Sequence, residues 1–401
     1  MVASCARSVR MAGAKGSLMN VQELARVPRM VTGSGASAGL AGLAGELAGP
    51  GASVLLVADP GLLATGMVAA IAHGMGRAGF GVTIFSDFTS DPTLAQADAA
   101  ADLARDRKAT LVVALGGGSA IDLGKTVAAI AGGRQSANAY GLCQRAFPKR
   151  RLACICIPTT SGTGAEATRT SVLSRADKAK IWLWGEAVKP DAIMLDPELT
   201  VSLPAALTAA TGIDALVHAV EAATNRRAHA ANNLYAHEAI RLVAAHLETA
   251  VRQPANLTAR GALQRAAVLA GMAIDNCGTA IAHNIGHAMA SLRPIHHGRA
   301  VGFAMLATLP WNVAQDDGAF AACAVAMGGQ PSGADFVARF SRLMADAGLG
   351  GGLGAGFAEI TAERLAQQML APENLPMLHS NKRVASAQEQ VELARRVLEM
   401  A

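Results

Sequence analysis

The chain has 401 residues, of which 51% are hydrophobic and 16% are charged. At roughly 100–200 residues per domain this length indicates two or three domains, and the apolar share excludes a disordered chain. The net charge of +5 is small for the length. Basic residues are scattered without interleaved aromatics, so no nucleic-acid partner is expected.

The cysteines and the apolar runs indicate the compartment. None of the six cysteines forms a CxxC pair, so we expect reduced thiols in a cytoplasmic protein. No apolar run is long enough to predict a transmembrane helix, and no membrane association is expected. Residues 1–20 are basic but lack a clean apolar segment, so an N-terminal extension is expected there, with a targeting segment as the alternative.

Strands and helices alternate between residues 51 and 200. Short apolar runs rich in β-branched residues predict buried strands at 52–58, 81–85, 110–115, 154–158 and 192–195. Helical stretches are predicted between them, at 62–79, 93–107 and 120–131. This alternation predicts a doubly wound parallel α/β sheet.

The pattern changes after Asp196, where β-branched runs stop and helical spacing begins. Helices are predicted over 204–224, 230–252, 257–275, 279–290, 333–346, 360–370 and 386–400. We therefore predict an α/β domain over 21–200 that is followed by an all-helical domain over 201–401.

Glycines stand where a phosphate could approach the chain. Gly116, Gly117 and Gly118 follow a predicted strand and open a helix, whose N-terminal N–H groups favour an anion. Asp59 also follows a strand; it could accept hydrogen bonds from a ribose and repel the extra phosphate of NADP, or cap the helix at Pro60. A tight turn is the alternative for the glycines.

Histidines and one carboxylate recur in the second half. Asp214 and His218 are four residues apart on one predicted helix face, His283 and His287 repeat this spacing, and His297 follows. Neutral imidazoles with one carboxylate suit Fe²⁺ or Zn²⁺. A pair at this spacing is also typical of a surface hydrogen bond, so spacing alone leaves both interpretations open.

Four stretches resemble the iron-dependent (group III) alcohol dehydrogenase family. They are GGGSAIDLGK at 116–125, PTTSGTGAEAT at 158–168, DPELTVSLPAALTAATGIDALVHAVEA at 196–222 and HNIGHAMASLRPIHHG at 283–298. The resemblance implies a dinucleotide-binding α/β domain, an all-helical domain and an active site in the cleft between them.

The resemblance also implies roles for individual residues. The metal ligands that it implies are Asp214, His218, His283 and His297. His287 matches a histidine near the nicotinamide that is not a ligand. The implied cofactor contacts are Asp59, Gly116, Gly117, Gly118, Ser119, Asp122, Thr159, Thr160 and Lys180.

The expected activity is that of a metal-dependent alcohol dehydrogenase or aldehyde reductase. Fe²⁺ is the expected ion, with Zn²⁺, Mn²⁺ and Ni²⁺ as alternatives, and Asp59 favours NAD over NADP. The ion would act as a Lewis acid on the alcohol while a hydride passes to NAD, with His287 as a proton relay. The resemblance suggests a homodimer.

The substrate is expected to be a small alcohol or aldehyde, because Ile274 stands where relatives often have an aromatic residue. Arg169 or Arg293 could bind an anionic substrate, although a surface position also explains either arginine. A sugar-phosphate cyclase resembling dehydroquinate synthase and a catalytically silent NAD-binding protein are the alternative functions. The motifs at 212–222 and 283–287 favour the dehydrogenase.

Overall fold

A computed structural model describes residues 22–400 of the chain, so the extension expected over 1–20 lies outside the described residues. The strands are β1 (Arg29–Thr32), β2 (Ser53–Ala58), β3 (Gly81–Phe85), β4 (Leu111–Gly116), β5 (Ala153–Pro158), β6 (Thr170–Ser174), β7 (Lys180–Trp184) and β8 (Ala192–Leu195). Six of them form one parallel sheet in the order β1-β8-β5-β4-β2-β3, while β6 and β7 form a separate antiparallel hairpin.

Helices cover both faces of the sheet. They are α1 (Leu40–Ala48), α2 (Met67–Arg77), α3 (Leu94–Asp106) and α4 (Gly118–Ile130). The alternation of β2 shows the two faces: Leu55 and Val57 pack in the hydrophobic cluster with α3 and α4, whereas Val54 and Leu56 pack with α1 and α2. The predicted doubly wound α/β domain is confirmed.

The direction of winding reverses beside β2. β3 pairs with one side of β2 and β4 with the other, so the connections on either side of this point diverge and leave a crevice at the carboxyl ends of the two strands. Open α/β sheets bind their ligands in such a crevice. Asp59 and Gly116 lie at this edge, because Asp59 N donates to Leu115 O at 2.9 Å.

The rest of the described chain is helical, as the sequence predicts. The helices are α5 (Ala205–Thr224), α6 (Ala230–Arg252), α7 (Leu257–Cys277), α8 (Ile281–Leu292), α9 (His297–Val313), α10 (Ala319–Ala326), α11 (Gly333–Asp346), α12 (Ala362–Met369), α13 (Leu375–Ser380) and α14 (Ala387–Leu398). α5 is buried along most of its length and packs against α6, α7 and α9. None of the helices within residues 22–400 is long and apolar enough to cross a membrane.

The helical part meets the sheet through close backbone contacts. A Cβ atom on Gly271 of α7 would lie 2.3 Å from Gly164 O, so only glycine fits at this contact. Gln264 of α7 donates through Nε2 to Pro158 O and Asp196 O, each at 3.2 Å. These contacts hold α7 against the carboxyl edge of the sheet.

Candidate active site

Four side chains from three helices converge in the helical part. Asp214 and His218 lie on α5, His283 lies in the first turn of α8, and His297 begins α9. Asp214 Oδ1 lies 3.7 Å from His218 Nδ1, 3.7 Å from His283 Nε2 and 3.6 Å from His297 Nε2. Two ligands about 2.1 Å from one ion at a tetrahedral angle lie about 3.4 Å apart, so this spacing fits a single divalent cation.

The hydrogen bonding of these atoms also fits a cation. Asp214 Oδ1, His218 Nδ1 and His283 Nε2 are buried and have no hydrogen-bond partner among the described residues. A buried polar atom without a partner is costly, and three that face one point are best explained by a shared ligand. One potential ligand atom from each of Asp214, His218, His283 and His297 lies within 4.8 Å of the others.

Neighbouring groups occupy the outer nitrogens of two of the histidines. The ring of His218 is hydrogen-bonded to the backbone of Gly162, and His283 Nδ1 lies 2.6 Å from Glu221 Oε2. Outer partners of this kind fix the orientation and tautomer of a ligand histidine. Gly162 belongs to the loop after β5, so the sheet contacts the cluster directly.

The pKa values describe an electronegative pocket. Burial lowers the pKa of His218 to about 3, so its ring is neutral near pH 7. Burial also opposes the charging of His283, but the charge of Glu221, its hydrogen bond to the ring and the nearby Asp214 carboxylate raise the pKa of His283 to about 9. The pocket therefore attracts positive charge, and a metal cation would replace the proton on His283.

His287 lies beside the cluster. Its ring centroid is 5.2 Å from that of His297 and 6.3 Å from that of His283. Burial and the neighbouring charges of His297 and His283 hold the pKa of His287 well below its usual value. The ring of His287 is therefore neutral near pH 7, and one of its nitrogens carries a free lone pair.

The predicted phosphate-binding turn joins β4 to α4. Gly117 is the N-cap of α4 and no side chain caps this helix, which leaves its first N–H groups for a ligand. Gly116 has φ +149°, and a Cβ atom there would lie 2.7 Å from the Cβ atoms of Ala120 and Asp59. The glycine is required by the close approach of β2, β4 and α4.

The loop after β5 packs against this turn. A Cβ atom on Gly117 would lie 3.2 Å from Thr160 Cγ2, and one on Gly118 would lie 2.7 Å from Thr163 Cγ2. Thr159 N donates to Gly116 O at 2.9 Å. Thr159, Thr160 and the glycine turn thus lie together at the edge of the sheet.

Asp59 has the capping role that the sequence left open, and its position allows the ribose contact as well. Its Oδ1 accepts from Gly61 N at 2.9 Å and so caps the short 3₁₀ helix that follows. The residue lies beside Gly116 at the switch point of the sheet. The cap uses one carboxylate oxygen and leaves the other for a ribose hydroxyl.

The remaining implied cofactor residues have protein partners. Ser119 Oγ accepts from Asp91 N at 3.2 Å, and Lys180 Nζ pairs with Asp91 Oδ1 at 2.5 Å. Asp122 Oδ2 accepts from Val172 N at 3.0 Å, so its carboxylate fastens the β6–β7 hairpin to α4. The structure therefore brings Ser119 and Lys180 together through Asp91, and it gives Asp122 a structural role.

Both arginines considered for anion binding are paired with acids. Arg169 is bound to Asp275 through Nε and its backbone N, and its Nη1 lies 3.3 Å from Glu186 Oε1. Arg293 pairs with Glu359 at 3.4 Å on the surface. These carboxylates neutralise both guanidinium groups. Arg293 has the surface position that the sequence allowed, whereas Arg169 is half-buried between the sheet and the helices.

Sequence reasoning missed Glu221 and Lys125. Glu221 stands three residues after His218 on the same helix, a spacing that could have indicated it. Lys125 is fully buried and donates to Ala165 O at 2.6 Å, fixing the segment between the loop and β6. Nothing in its spacing reveals this contact, since the partner is 40 residues away.

A glycine turn at the switch point of a parallel sheet, with a cluster of potential cation ligands on the adjoining helices, is the arrangement expected of an enzyme that uses a nucleotide and a metal ion. Comparison with known families gives the class of enzyme. Residues 28–197 match the iron-containing alcohol dehydrogenase model, and residues 208–397 match the Fe-containing alcohol dehydrogenase family, C-terminal model.

Individual relatives agree. The chain is 38% identical over 251 residues to long-chain-alcohol dehydrogenase 1 of Geobacillus thermodenitrificans (strain NG80-2), which is 62% of this chain and 63% of that protein. It is 30% identical over 351 residues to the NAD-dependent methanol dehydrogenase of Bacillus methanolicus, covering 86% of this chain and 92% of that one. The crystal structure of sulfoacetaldehyde reductase from Bifidobacterium kashiwanohense with NAD⁺ superposes with a TM-score of 0.85 at 25% identity, covering 95% of this chain and 100% of that chain.

The chain therefore belongs to the iron-containing alcohol dehydrogenase family, whose members are oxidoreductases that act on alcohols and aldehydes.

Proposed function

We propose that the protein transfers a hydride between a small alcohol/aldehyde pair and NAD(H), with one divalent metal ion held by Asp214, His218, His283 and His297. The observation that carries the proposal is the convergence of these donor atoms, three of which are buried without a partner. Structural ion pairs do not leave such atoms unsatisfied.

Fe²⁺ is the ion that we propose, with Zn²⁺, Mn²⁺ and Ni²⁺ as alternatives. One carboxylate and three imidazoles suit a borderline divalent cation, and the family takes its description from iron. When bound, the ion supplies Lewis acidity toward the oxygen of the substrate. The chain's own part is to hold the four donors at fixed distances in a buried pocket.

NAD is the proposed cofactor, bound across the carboxyl ends of β2 and β4. The N-terminus of α4 would receive the pyrophosphate, and the loop at Thr159 and Thr160 would cover it. Asp59 would accept from the adenosine ribose and disfavour NADP. The relatives named for NAD support this choice.

His287 is the proposed proton carrier. Its ring lies next to His297 and is neutral near pH 7, so its unprotonated nitrogen is free to take the proton of the substrate hydroxyl and, because its pKa is low, to release that proton to water. Its ring is half-buried, so bound cofactor and substrate would complete the exclusion of water from the path of the hydride.

The proposed substrate is a small alcohol or aldehyde. Ile274 is partly buried against the hydrophobic core of the helical part, and an aliphatic side chain there leaves more room than an aromatic one. An anionic substrate receives less support, because Arg169 and Arg293 are paired with acids. The substrates to test include those for which the relatives are named: methanol, long-chain alcohols and sulfoacetaldehyde.

We also propose that the domains divide near residue 200, between the two family matches. A homodimer in the cytoplasm remains the arrangement that we propose from the family resemblance.

The test is a metal add-back assay. The protein is purified without oxygen and stripped with a chelator, and NADH absorbance is followed with a panel of small alcohols and aldehydes as each metal is restored. We expect activity to return with Fe²⁺ and to be absent in His283→Ala but present in His73→Ala, since His73 is exposed on α2. No turnover by protein that binds both metal and NAD would overturn the dehydrogenase and favour a cyclase-like or silent protein.

A further inference from the structure

Glu221 is a buried carboxylate that contacts the proposed metal site through the ring nitrogen of His283 that faces away from the cluster. It lies on α5 and is 2% exposed. Its Oε2 accepts from Ala280 N at 2.7 Å and from His283 Nδ1 at 2.6 Å. Its Oε1 accepts from Ala282 N at 2.7 Å and from His283 N at 3.4 Å. Four donors therefore point at one carboxylate.

We propose that Glu221 is a positioning residue, which fixes the tautomer and the orientation of His283 for metal binding. An ionised carboxylate only accepts hydrogen bonds, so His283 Nδ1 must carry a hydrogen. The lone pair of the neutral ring then lies on Nε2, which is 3.7 Å from Asp214 Oδ1 and lacks a hydrogen-bond partner among the described residues. This inference rests on the proposed function, because it assumes that a metal occupies the cluster.

Glu221 also fixes the helix that carries His283. α8 begins at Ile281, and its N-cap residue, Ala280, provides no side-chain cap. The carboxylate of Glu221 takes that place by accepting from the first N–H groups of the helix, where a negative charge is favourable. One side chain thus joins α5 to α8 and holds the rings of His218 and His283 with their centroids 4.3 Å apart.

Glutamine cannot replace this carboxylate. Its side chain has nearly the same shape but offers one acceptor oxygen and one NH₂ group. If the NH₂ group faces His283 Nδ1, it donates to that nitrogen and shifts the ring hydrogen to Nε2, which removes the lone pair from the metal. In that orientation the NH₂ group also faces Ala280 N–H, so two donors face each other without an acceptor. If the amide is reversed, the NH₂ group faces the N–H groups of Ala282 and His283 in the same unfavourable way.

The experiment is a Co²⁺ titration of chelator-stripped protein, followed by the visible absorption of the bound ion. Glu221→Gln is compared with wild type and with Ser386→Ala, which removes the capping box of α14. We expect Glu221→Gln to bind Co²⁺ about 10–100-fold more weakly, with a changed absorption band. We expect Ser386→Ala to lower the Tm without changing the Kd for Co²⁺.

A Kd and band for Glu221→Gln equal to those of wild type would overturn the inference. Failure of the proposed function would give a different result. Wild type would then show no visible Co²⁺ band, or a band that persists in Asp214→Asn. If Glu221→Gln does not fold, the tautomer of His283 is determined instead by NMR of wild-type protein that is labelled with ¹⁵N-histidine and loaded with Zn²⁺. We expect a hydrogen on His283 Nδ1 and metal on Nε2; the opposite assignment overturns the inference.

Discussion

Asp214 supplies the negative charge of the four-donor cluster, and its replacement tests the cluster at the scale of one residue. Asp214→Asn keeps the shape of the side chain but removes the charge. Burial raises the pKa of Asp214, yet the charges of His218 and His297 and its contacts with His283 lower it overall, so the carboxylate is ionised at neutral pH. We expect metal affinity to fall by about 100-fold, or about 2.7 kcal/mol.

Calorimetric titration with Zn²⁺ of the stripped protein measures this loss. His73→Ala is the control and should bind as wild type does. Equal Zn²⁺ affinities in Asp214→Asn and wild type would show that the metal, if any, binds elsewhere.

Asp59 offers a second test at the residue scale. Asp59→Asn retains an oxygen that can accept from Gly61 N, so the cap and the stability should survive. The lost charge should remove the repulsion of the NADP phosphate. We expect the ratio of kcat/KM for NAD to that for NADP to fall at least about tenfold, which is about 1.4 kcal/mol. Steady-state assays with both cofactors measure the ratio, and an unchanged ratio would exclude the proposed contact.

What the sequence reveals about single residues depends on where their partners lie. The residues proposed as ligands stand in long motifs at helical spacing, so their convergence could be predicted from the resemblance. Arg169 could not be interpreted in this way, because its partner Asp275 lies 106 residues further along the chain. Glu221 could have been suspected from its helix face, but its hydrogen bonds to the start of α8 depend on the packing of two helices.

At the scale of elements, the glycine turn before α4 permits a matched pair of substitutions. In Gly118→Ala, the new Cβ atom would lie 2.7 Å from Thr163 Cγ2 and would push the loop after β5 away. Gly74 lies inside α2, and a Cβ atom there meets nothing within 4 Å. We expect Gly118→Ala to raise the KM for NAD about tenfold or more and to destabilise the fold by about 1–3 kcal/mol.

Gly74→Ala should instead stabilise the protein by about 0.5–1 kcal/mol and leave the KM unchanged. Urea unfolding and NAD saturation curves measure both effects. If the two variants behaved alike, the loop would not be held against the turn as described.

Strands and helices whose sequence shows one clear hydrophobic pattern were predicted well. The apolar runs at 81–85 and 192–195 match β3 and β8 residue for residue. β1 was missed because its four residues are mostly exposed and carry no apolar run. α9 was missed because its residues are buried around most of its circumference and include Pro310, so no helical periodicity shows in its sequence.

At the scale of the whole molecule, an ion cluster joins the two parts. Asp275 of α7 lies 2.7 Å from Lys189 Nζ before β8 and 3.2 Å from Arg169 Nε before β6. Arg169 also stacks on Trp184 at 5.1 Å. Asp275 and Lys189 are both buried, so their charges depend on each other. The proposed hydride transfer needs the sheet and the helices aligned, and this cluster holds the two against each other.

Asp275→Asn should therefore destabilise the protein by about 3–5 kcal/mol at pH 7, because it leaves the Lys189 ammonium buried without its counter-charge. Burial already lowers the pKa of Lys189, against the opposing charge of Asp275. The folded state then binds protons on Lys189 less readily than the unfolded state, so the cost is full at low pH and declines as the pH rises toward the usual lysine value.

The free energy of unfolding, measured in urea at pH 7 and pH 9.5, tests this argument. The deficit of Asp275→Asn relative to wild type should be smaller at pH 9.5. Asp346→Asn, at an exposed position at the end of α11, is the control and should change stability by less than about 0.5 kcal/mol at either pH. A deficit that is the same at both pH values would mean that the cost arises from the weakened contacts with Arg169, which stays charged at both pH values, and not from the unpaired charge of Lys189.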